Sequence, residues 1–254
     1  MKERIIPLTG IHNFRDYGGY ATAEGGRVKK NVLFRSGQHR DATPDDLQRV
    51  GDLGLATVID LRSDAERALY PCPRPDNHAA ELVFAPGNTL GADSHVDAAR
   101  GVTTATEAHA AMVELYRKMP FRPVLVNTYR LFFEKLASGN GPSLVHCLAG
   151  KDRTGVAVAL VHHQLGVHHD DIVEDYLLTN VAGDVERRIA AGADSVRANF
   201  GKDMEDDAVR TIMSVNGAFL DSALEAIGDI DTYCETVLGV TPQQRDALRQ
   251  HLVD

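Results

Sequence analysis

Five residues separate Cys147 from Arg153 in the run Val145-His146-Cys147-Leu148-Ala149-Gly150-Lys151-Asp152-Arg153-Thr154-Gly155, and those residue types at that spacing can do chemistry. A loop of this length curls into a ring whose backbone N–H groups point inward at one bound anion, with Leu148 to Thr154 as the phosphate-binding run. A helix N-terminus, inward amides and a neighbouring guanidinium all favour the thiolate of Cys147, which is the nucleophilic form. Arg153 offers a planar fork of donors that can grip two phosphate oxygens as charge builds on them. Thr154 can set its hydroxyl against the sulfur when that sulfur leaves, and Gly150 and Gly155 give the backbone room to turn and approach the anion. The chemistry these residues imply is transfer of a phosphoryl group to sulfur, with the transition state held by amides and a guanidinium.

Such a ring must hang between a strand and a helix. Ser143-Leu144-Val145 reads as a short buried strand, and Val156, Ala157, Ala159 and Leu160 continue as an apolar helix from Arg153 onward, so the cysteine falls on the turn between them. The helix adds the positive end of its dipole to the ring. Upstream, Val32-Leu33-Phe34-Arg35-Ser36-Gly37 reads as a strand and turn. Thr43-Pro44-Asp45-Asp46 starts a helix with cap, proline and acids in place, and Leu47, Val50 and Leu53 space its apolar face. Ala56 to Ile59 is a compact strand that delivers Asp60 and Arg62 to its C-terminal end, where ligands of open α/β sheets collect. Two readings stand for that pair: support of the pocket, or a buried tie that only shapes the loop. Glu81 to Phe84 is a further strand, Pro86 to about Thr106 a long connection, and Glu107 to Lys118 and Val124 to Ala137 two helices. From Val181 the chain reads helical almost throughout. The whole is one α/β domain over residues 1–254: a short, mostly parallel central sheet flanked by helices, with a helical C-terminal third.

The run from His146 to Gly155 resembles the signature of the cysteine-dependent phosphatases. Gly150-Lys151-Asp152-Arg153-Thr154-Gly155 is similar to the bacterial tyrosine and phosphoinositide phosphatase family related to a secreted mycobacterial enzyme. Asn13-Phe14-Arg15-Asp16-Tyr17-Gly18-Gly19 and Asp175-Tyr176-Leu177-Leu178-Thr179-Asn180 agree with the same family, so the resemblance spans most of the chain. It implies a protein-tyrosine-phosphatase-like fold, a phosphocysteine intermediate, and substrates among phosphotyrosine, phosphoserine or phosphothreonine proteins and phosphoinositides. It also implies that Arg35 and Ser36 belong to the pocket and that helices between residues 180 and 214 cover it as a lid. Lys151 is read as an extra charge at the pocket rim that widens the substrate range. The larger tyrosine phosphatase family takes its general acid from a loop after Trp-Pro, but this chain has no tryptophan. Asp152, inside the ring, is the first candidate for that acid; Asp60 is the alternative, and a purely structural Asp152 is the third reading.

Composition narrows the rest. At 254 residues with 43% hydrophobic residues the chain can bury a substantial core. A net charge of −9 disfavours general affinity for nucleic acid or anionic membranes, so any phosphate pocket is locally positive within an acidic protein. No apolar stretch reaches membrane-spanning length, which speaks against stable membrane insertion. Three cysteines, Cys72, Cys147 and Cys234, argue against a disulfide framework and for a cytoplasmic setting, although similar enzymes can be exported without a conventional signal. His162, His163, His168 and His169 read as solvated helix ends rather than a metal site, and no cofactor is expected. Nothing in the sequence fixes an oligomeric state. Two rivals remain: a rhodanese-like sulfurtransferase, whose loop is usually shorter, and a catalytically silent phosphate-binding module.

Overall fold

The computed structural model describes residues 4–75, 78–88, 101–200 and 203–254. Five strands form its sheet: β1 (Arg15–Asp16), β2 (Leu33–Ser36), β3 (Thr57–Asp60), β4 (Glu81–Val83) and β5 (Ser143–His146), in the order β1-β2-β5-β3-β4. Only β1 runs antiparallel to its neighbour. Every residue of β2, β3 and β5 is buried, as expected of parallel strands covered on both faces. In the register, Ser36 and Asp60 both lie opposite His146. The three strands therefore end level, and Gly37, Leu61 and Cys147 follow at one carboxyl edge.

Side chains alternate across the sheet. Leu33, Ile59 and Val145 enter the larger core, while Phe34, Val58 and Leu144 join Ile11, Phe14 and Val50 on the opposite face. That opposite face carries α1 (Pro44–Gly51), started by the Thr43 and Asp46 capping box. α2 (Asp64–Leu69) follows β3 with a second capping box, Ser63 and Glu66. The larger core is filled by α3 (Ala105–Lys118), α4 (Pro123–Ser138) and α5 (Asp152–Gln164), the helix that begins inside the phosphate loop. Val156 to Val161 of α5 are all buried, so α5 serves as the core's central rod. Truncating Leu160 to Ala is expected to cost about 2–5 kcal/mol.

Beyond α5 come α6 (His169–Leu177), α7 (Thr179–Ala182), α8 (Val185–Phe200), α9 (Asp206–Met213), α10 (Gly217–Ile227), α11 (Ile230–Thr236) and α12 (Pro242–Leu252). The pair α8 and α9 does not share the larger core. Val102, Ala108, Met204, Ala208 and Val209 form a separate apolar cluster, with Ile189, Ala193 and Val196 packed against it. Its attachment is thus to α3 rather than to the sheet.

One expectation fails on α5. His162 is not at a solvated helix end but fully buried, with Nε2 2.8 Å from the Tyr17 carbonyl and its ring set edge-on between Tyr17 and Tyr20. The N-terminal segment folds over that end of the helix, a long-range contact that helical periodicity does not encode. Of the predicted connection after Pro86, residues 89–100 lie outside the described residues.

Candidate active site

The loop after Cys147 is shaped by donors that hold its carbonyls. The Gln38 N–H donates to Leu148 O at 3.0 Å, the Asn13 amide donates to Ala149 O at 3.3 Å and Gly150 O at 2.7 Å, and Arg35 Nη2 also reaches Gly150 O at 3.1 Å. In a planar trans peptide the N–H points opposite to the C=O. Drawing these three carbonyls outward therefore turns the amides of Ala149, Gly150 and Lys151 into the ring. Gly150 has φ +63°, and a Cβ there would fall 2.2 Å from the Ser36 carbonyl oxygen, so no other residue fits without moving β2.

Those donors are themselves fixed from below. Asp175 of α6 takes Arg15 Nε at 3.2 Å and Arg35 Nη1 at 2.6 Å, and its carbonyl accepts Arg15 Nη2 at 2.9 Å. Arg15 also bonds the Asn13 side chain. Burial opposes the Asp175 charge, but the two arginines hold its carboxyl well below the usual range. Burial and the Arg35 charge in turn push Arg15 down to about 10. The segments near Asn13, Arg35 and Asp175 thus meet in one buried network under the ring. Arg35 and Ser36 lie beneath the loop rather than facing its interior: Ser36 Oγ is 3.0 Å from His39 Nε2.

Arg153 is clamped from α2. Its Nη1 and Nη2 donate to Glu66 Oε2 and Oε1 at 2.6 and 2.8 Å, Nη1 also reaches Leu61 O at 3.3 Å, and the Tyr129 hydroxyl donates to Arg153 O at 3.2 Å. Burial works against the Glu66 charge, yet Arg153 and the Ser63 bonds pull it down to about 2. Arg153 is correspondingly held above its ordinary value by Glu66 against the cost of burial. Sequence reasoning missed Glu66. Its signal was present, since Ser63-Asp64-Ala65-Glu66 is a capping box directly after the strand that ends at Asp60.

Asp152 and Lys151 differ in what they face. Asp152 Oδ1 accepts the Tyr116 hydroxyl at 2.7 Å, and Tyr116 in turn lies 2.6 Å from the Tyr176 hydroxyl. Lys151 Nζ is 3.4 Å from Asp152 Oδ1. Lys151 is not the rim charge expected of it. It is 5% exposed, and its ammonium donates to the carbonyls of Ile212 and Ser214 at the C-terminal end of α9, where a cation suits the helix dipole. Burial lowers its pKa, with Asp152 opposing the shift. Thr154 Oγ1 is buried and has no hydrogen-bond partner among the described residues. Cys147 lies at the floor, 2% exposed.

Asp60 and Arg62 form the tie. Arg62 Nε and Nη2 donate to Asp60 at 2.8 and 2.7 Å, and Arg62 Nη1 continues to the Tyr70 carbonyl at 2.6 Å. Burial opposes the Asp60 charge, but His146 and Arg62 hold its carboxyl well below the usual range. His146 sits 3.8 Å from that carboxylate and stacks on His39, and burial pushes it down to about 4. At neutral pH Arg62 is therefore the charged partner of Asp60. The arrangement as a whole is an anion cradle with a buried thiol at its base, a fixed guanidinium on one wall and a tyrosine-held carboxyl at its rim.

The family match and the sequence relatives agree with that chemistry. A family model described as the tyrosine phosphatase family matches residues 6–254. A Cupriavidus necator protein named as a tyrosine-protein phosphatase is 33% identical over 250 residues, covering 95% of this chain and 85% of its own. The triple specificity protein phosphatase PtpB of Mycobacterium tuberculosis is 34% identical over 201 residues, 69% of either chain. The crystal structure of TpbA from P. aeruginosa aligns with 77% of this chain and 96% of its own, at 17% identity and a TM-score of 0.33.

Proposed function

This chain belongs to the tyrosine phosphatase family, and we propose that it hydrolyses phosphate monoesters through a phosphocysteine at Cys147. The observation that carries the mechanism is the fixed fork of Arg153 beside a ring of inward amides at the buried sulfur. In the first step the Cys147 thiolate forms a bond to phosphorus as the bond to the ester oxygen breaks, and Asp152 gives that oxygen a proton. In the second, Asp152 takes a proton from water as the water oxygen attacks phosphorus, and the sulfur leaves as thiolate with inorganic phosphate released. Arg153 and the amides of Ala149, Gly150 and Lys151 hold the equatorial oxygens in both. Asp60 is poorly suited to the proton transfers, because both its oxygens are committed to Arg62.

The substrates are phosphotyrosine and other phosphate monoesters, among them phosphoserine, phosphothreonine or phosphoinositides. The words triple specificity in the name of the relative PtpB support a range wider than phosphotyrosine. The charge of Lys151 does not, since it is spent on α9. Among the described residues no helix is long and apolar enough to cross a membrane, and the free cysteines favour a cytoplasmic setting. The chain works as one domain in which α8 and α9 close over the cradle as a lid, a reading supported by their separate apolar cluster and by the Lys151 bonds to the end of α9. Release of para-nitrophenol from para-nitrophenyl phosphate by the purified chain, lost in Cys147→Ser, is the expected result. A sulfurtransferase or a silent binding module would release none.

A further inference from the structure

Two buried tyrosines stand behind the carboxyl that handles the protons, and neither takes part in the phosphoryl transfer itself. Tyr116 of α3 and Tyr176 of α6 are 0 and 1% exposed, their rings meet edge-on with centroids 6.3 Å apart, and their hydroxyls lie 2.6 Å from each other. The Tyr116 hydroxyl donates to Asp152 Oδ1 at 2.7 Å. A phenol has one hydrogen to give, so the proton between the two tyrosines comes from Tyr176. The donors therefore run one way, from Tyr176 to Tyr116 to Asp152. Burial and the nearby charge of Asp152 push both phenols well above their ordinary value, so both stay donors at neutral pH.

The packing around this relay is specific. A Cβ on Gly155 would fall 2.8 Å from Cδ2 and Cε2 of Tyr176, so the last glycine of the loop is the gap through which that ring approaches. Tyr176 follows Asp175, whose carboxylate holds Arg15 and Arg35 beneath the loop, so adjacent residues of α6 serve the loop's carbonyls and the carboxyl at its rim. On its other side Tyr116 packs against Phe219 of α10, with centroids 5.8 Å apart. Two donors approach Asp152 Oδ1, the Tyr116 hydroxyl and the Lys151 ammonium at 3.4 Å. An oxygen that accepts from both is the carbonyl-like one, and the acidic proton then resides on Oδ2. We infer that Tyr116, backed by Tyr176, is a positioning residue that sets the rotation of Asp152, holding Oδ1 toward the core so that Oδ2 carries the proton passed to the leaving oxygen. The inference rests on the reading of Asp152 as general acid and adds the device that orients it.

A double-mutant cycle read on two leaving groups tests it. Tyr116→Phe keeps the ring and removes only the hydroxyl. Its kcat/KM on an alkyl phosphate, which reports the step that protonates the leaving oxygen, is expected to fall about tenfold or more. On para-nitrophenyl phosphate, whose leaving group departs without a proton, the loss should be far smaller. Tyr176→Phe, which leaves the Tyr116 hydroxyl in place and removes its donor, should show the same selectivity at a smaller size, and it carries the test if Tyr116→Phe does not fold. Adding Tyr116→Phe to Asp152→Asn should cost the alkyl ester nothing further, because the hydroxyl acts only through that carboxyl. Wild-type values in Tyr116→Phe, equal losses on the two esters, or losses that multiply in the double variant overturn the inference while a leaving-group-selective loss in Asp152→Asn leaves the acid in place. Equal losses on both esters in Asp152→Asn itself would overturn the acid reading, and the role of Tyr116 with it.

Discussion

Arg153 and Glu66 meet through two parallel hydrogen bonds, 2.6 and 2.8 Å long, and the same carboxylate accepts the Ser63 N–H at 2.8 Å. One side chain thus closes the N-terminus of α2 and aims the guanidinium proposed to grip phosphate. Helix start and phosphate clamp are coupled, and Glu66→Gln tests the coupling. It keeps the shape and removes the charge. The expected loss in kcat is about ten- to a hundredfold, because a small misorientation of a positioned group costs that much. The measurement is kcat and KM on an aryl phosphate with circular dichroism as the control for folding. A wild-type kcat would mean that Leu61 O and the ring suffice to hold Arg153.

Stability should depend on pH through His146. Its pKa is 6.5 when unfolded and about 4 in the buried site beside Asp60, Arg62, Arg74 and His39. Between those values the unfolded chain binds a proton that the folded chain refuses, so stability falls as pH drops through the window. The contribution is about 3 kcal/mol at its largest. Glu66, held down to about 2, adds a second loss below about pH 4, where the unfolded carboxyl protonates first. Urea unfolding at pH 7 and pH 4.5 reads the first effect, and His146→Gln should shrink the difference. The same difference in that variant would assign the slope to His39 and His162, which burial lowers too.

If Asp152 is the general acid, Asp152→Asn slows hydrolysis of an alkyl phosphate, whose leaving oxygen needs the proton, about a hundredfold or more. An aryl ester with a good leaving group suffers far less. Equal losses on both would give Asp152 a structural part, as the anchor of Tyr116 and Lys151.

The lid proposed for α8 and α9 is tied down by polar contacts besides its apolar cluster, among them the Glu205 N–H to the Thr103 carbonyl at 2.9 Å. Asn180 exchanges hydrogen bonds of 2.9 and 2.8 Å with the backbone of Val215, and Lys151 donates to the end of α9. Lys151→Met keeps the apolar stem and removes these donors. Amide exchange across residues 206–214 is expected to rise roughly tenfold or more, and vanadate should slow exchange over 185–213 in the wild type. Exchange that responds to neither change would make α8 and α9 fixed scaffold.

What the sequence disclosed was local. The strand-loop-helix around Cys147, the Thr43 cap of α1, and the strand ending at Asp60 are each written in a few adjacent residues, and the structure places them at those positions within a residue or two. What it hid was partnership across long separations. Glu66 lies 87 residues from Arg153, and Lys151 lies 63 from Ser214, so no spacing rule links them. The lysine in particular reads as a free charge from its position in the loop, and only the arrival of α9 turns it into a buried tie. His162 was misplaced for the same reason.

The central claim is that phosphate passes through Cys147, and rapid acid quench of the chain during turnover of an aryl phosphate, followed by mass spectrometry of its peptides, tests it most directly. The account expects a phosphorylated peptide whose modified atom is Cys147 Sγ, formed within one turnover and missing from Cys147→Ser. Steady hydrolysis with no phosphate on Cys147, or hydrolysis that survives in Cys147→Ser, would contradict it.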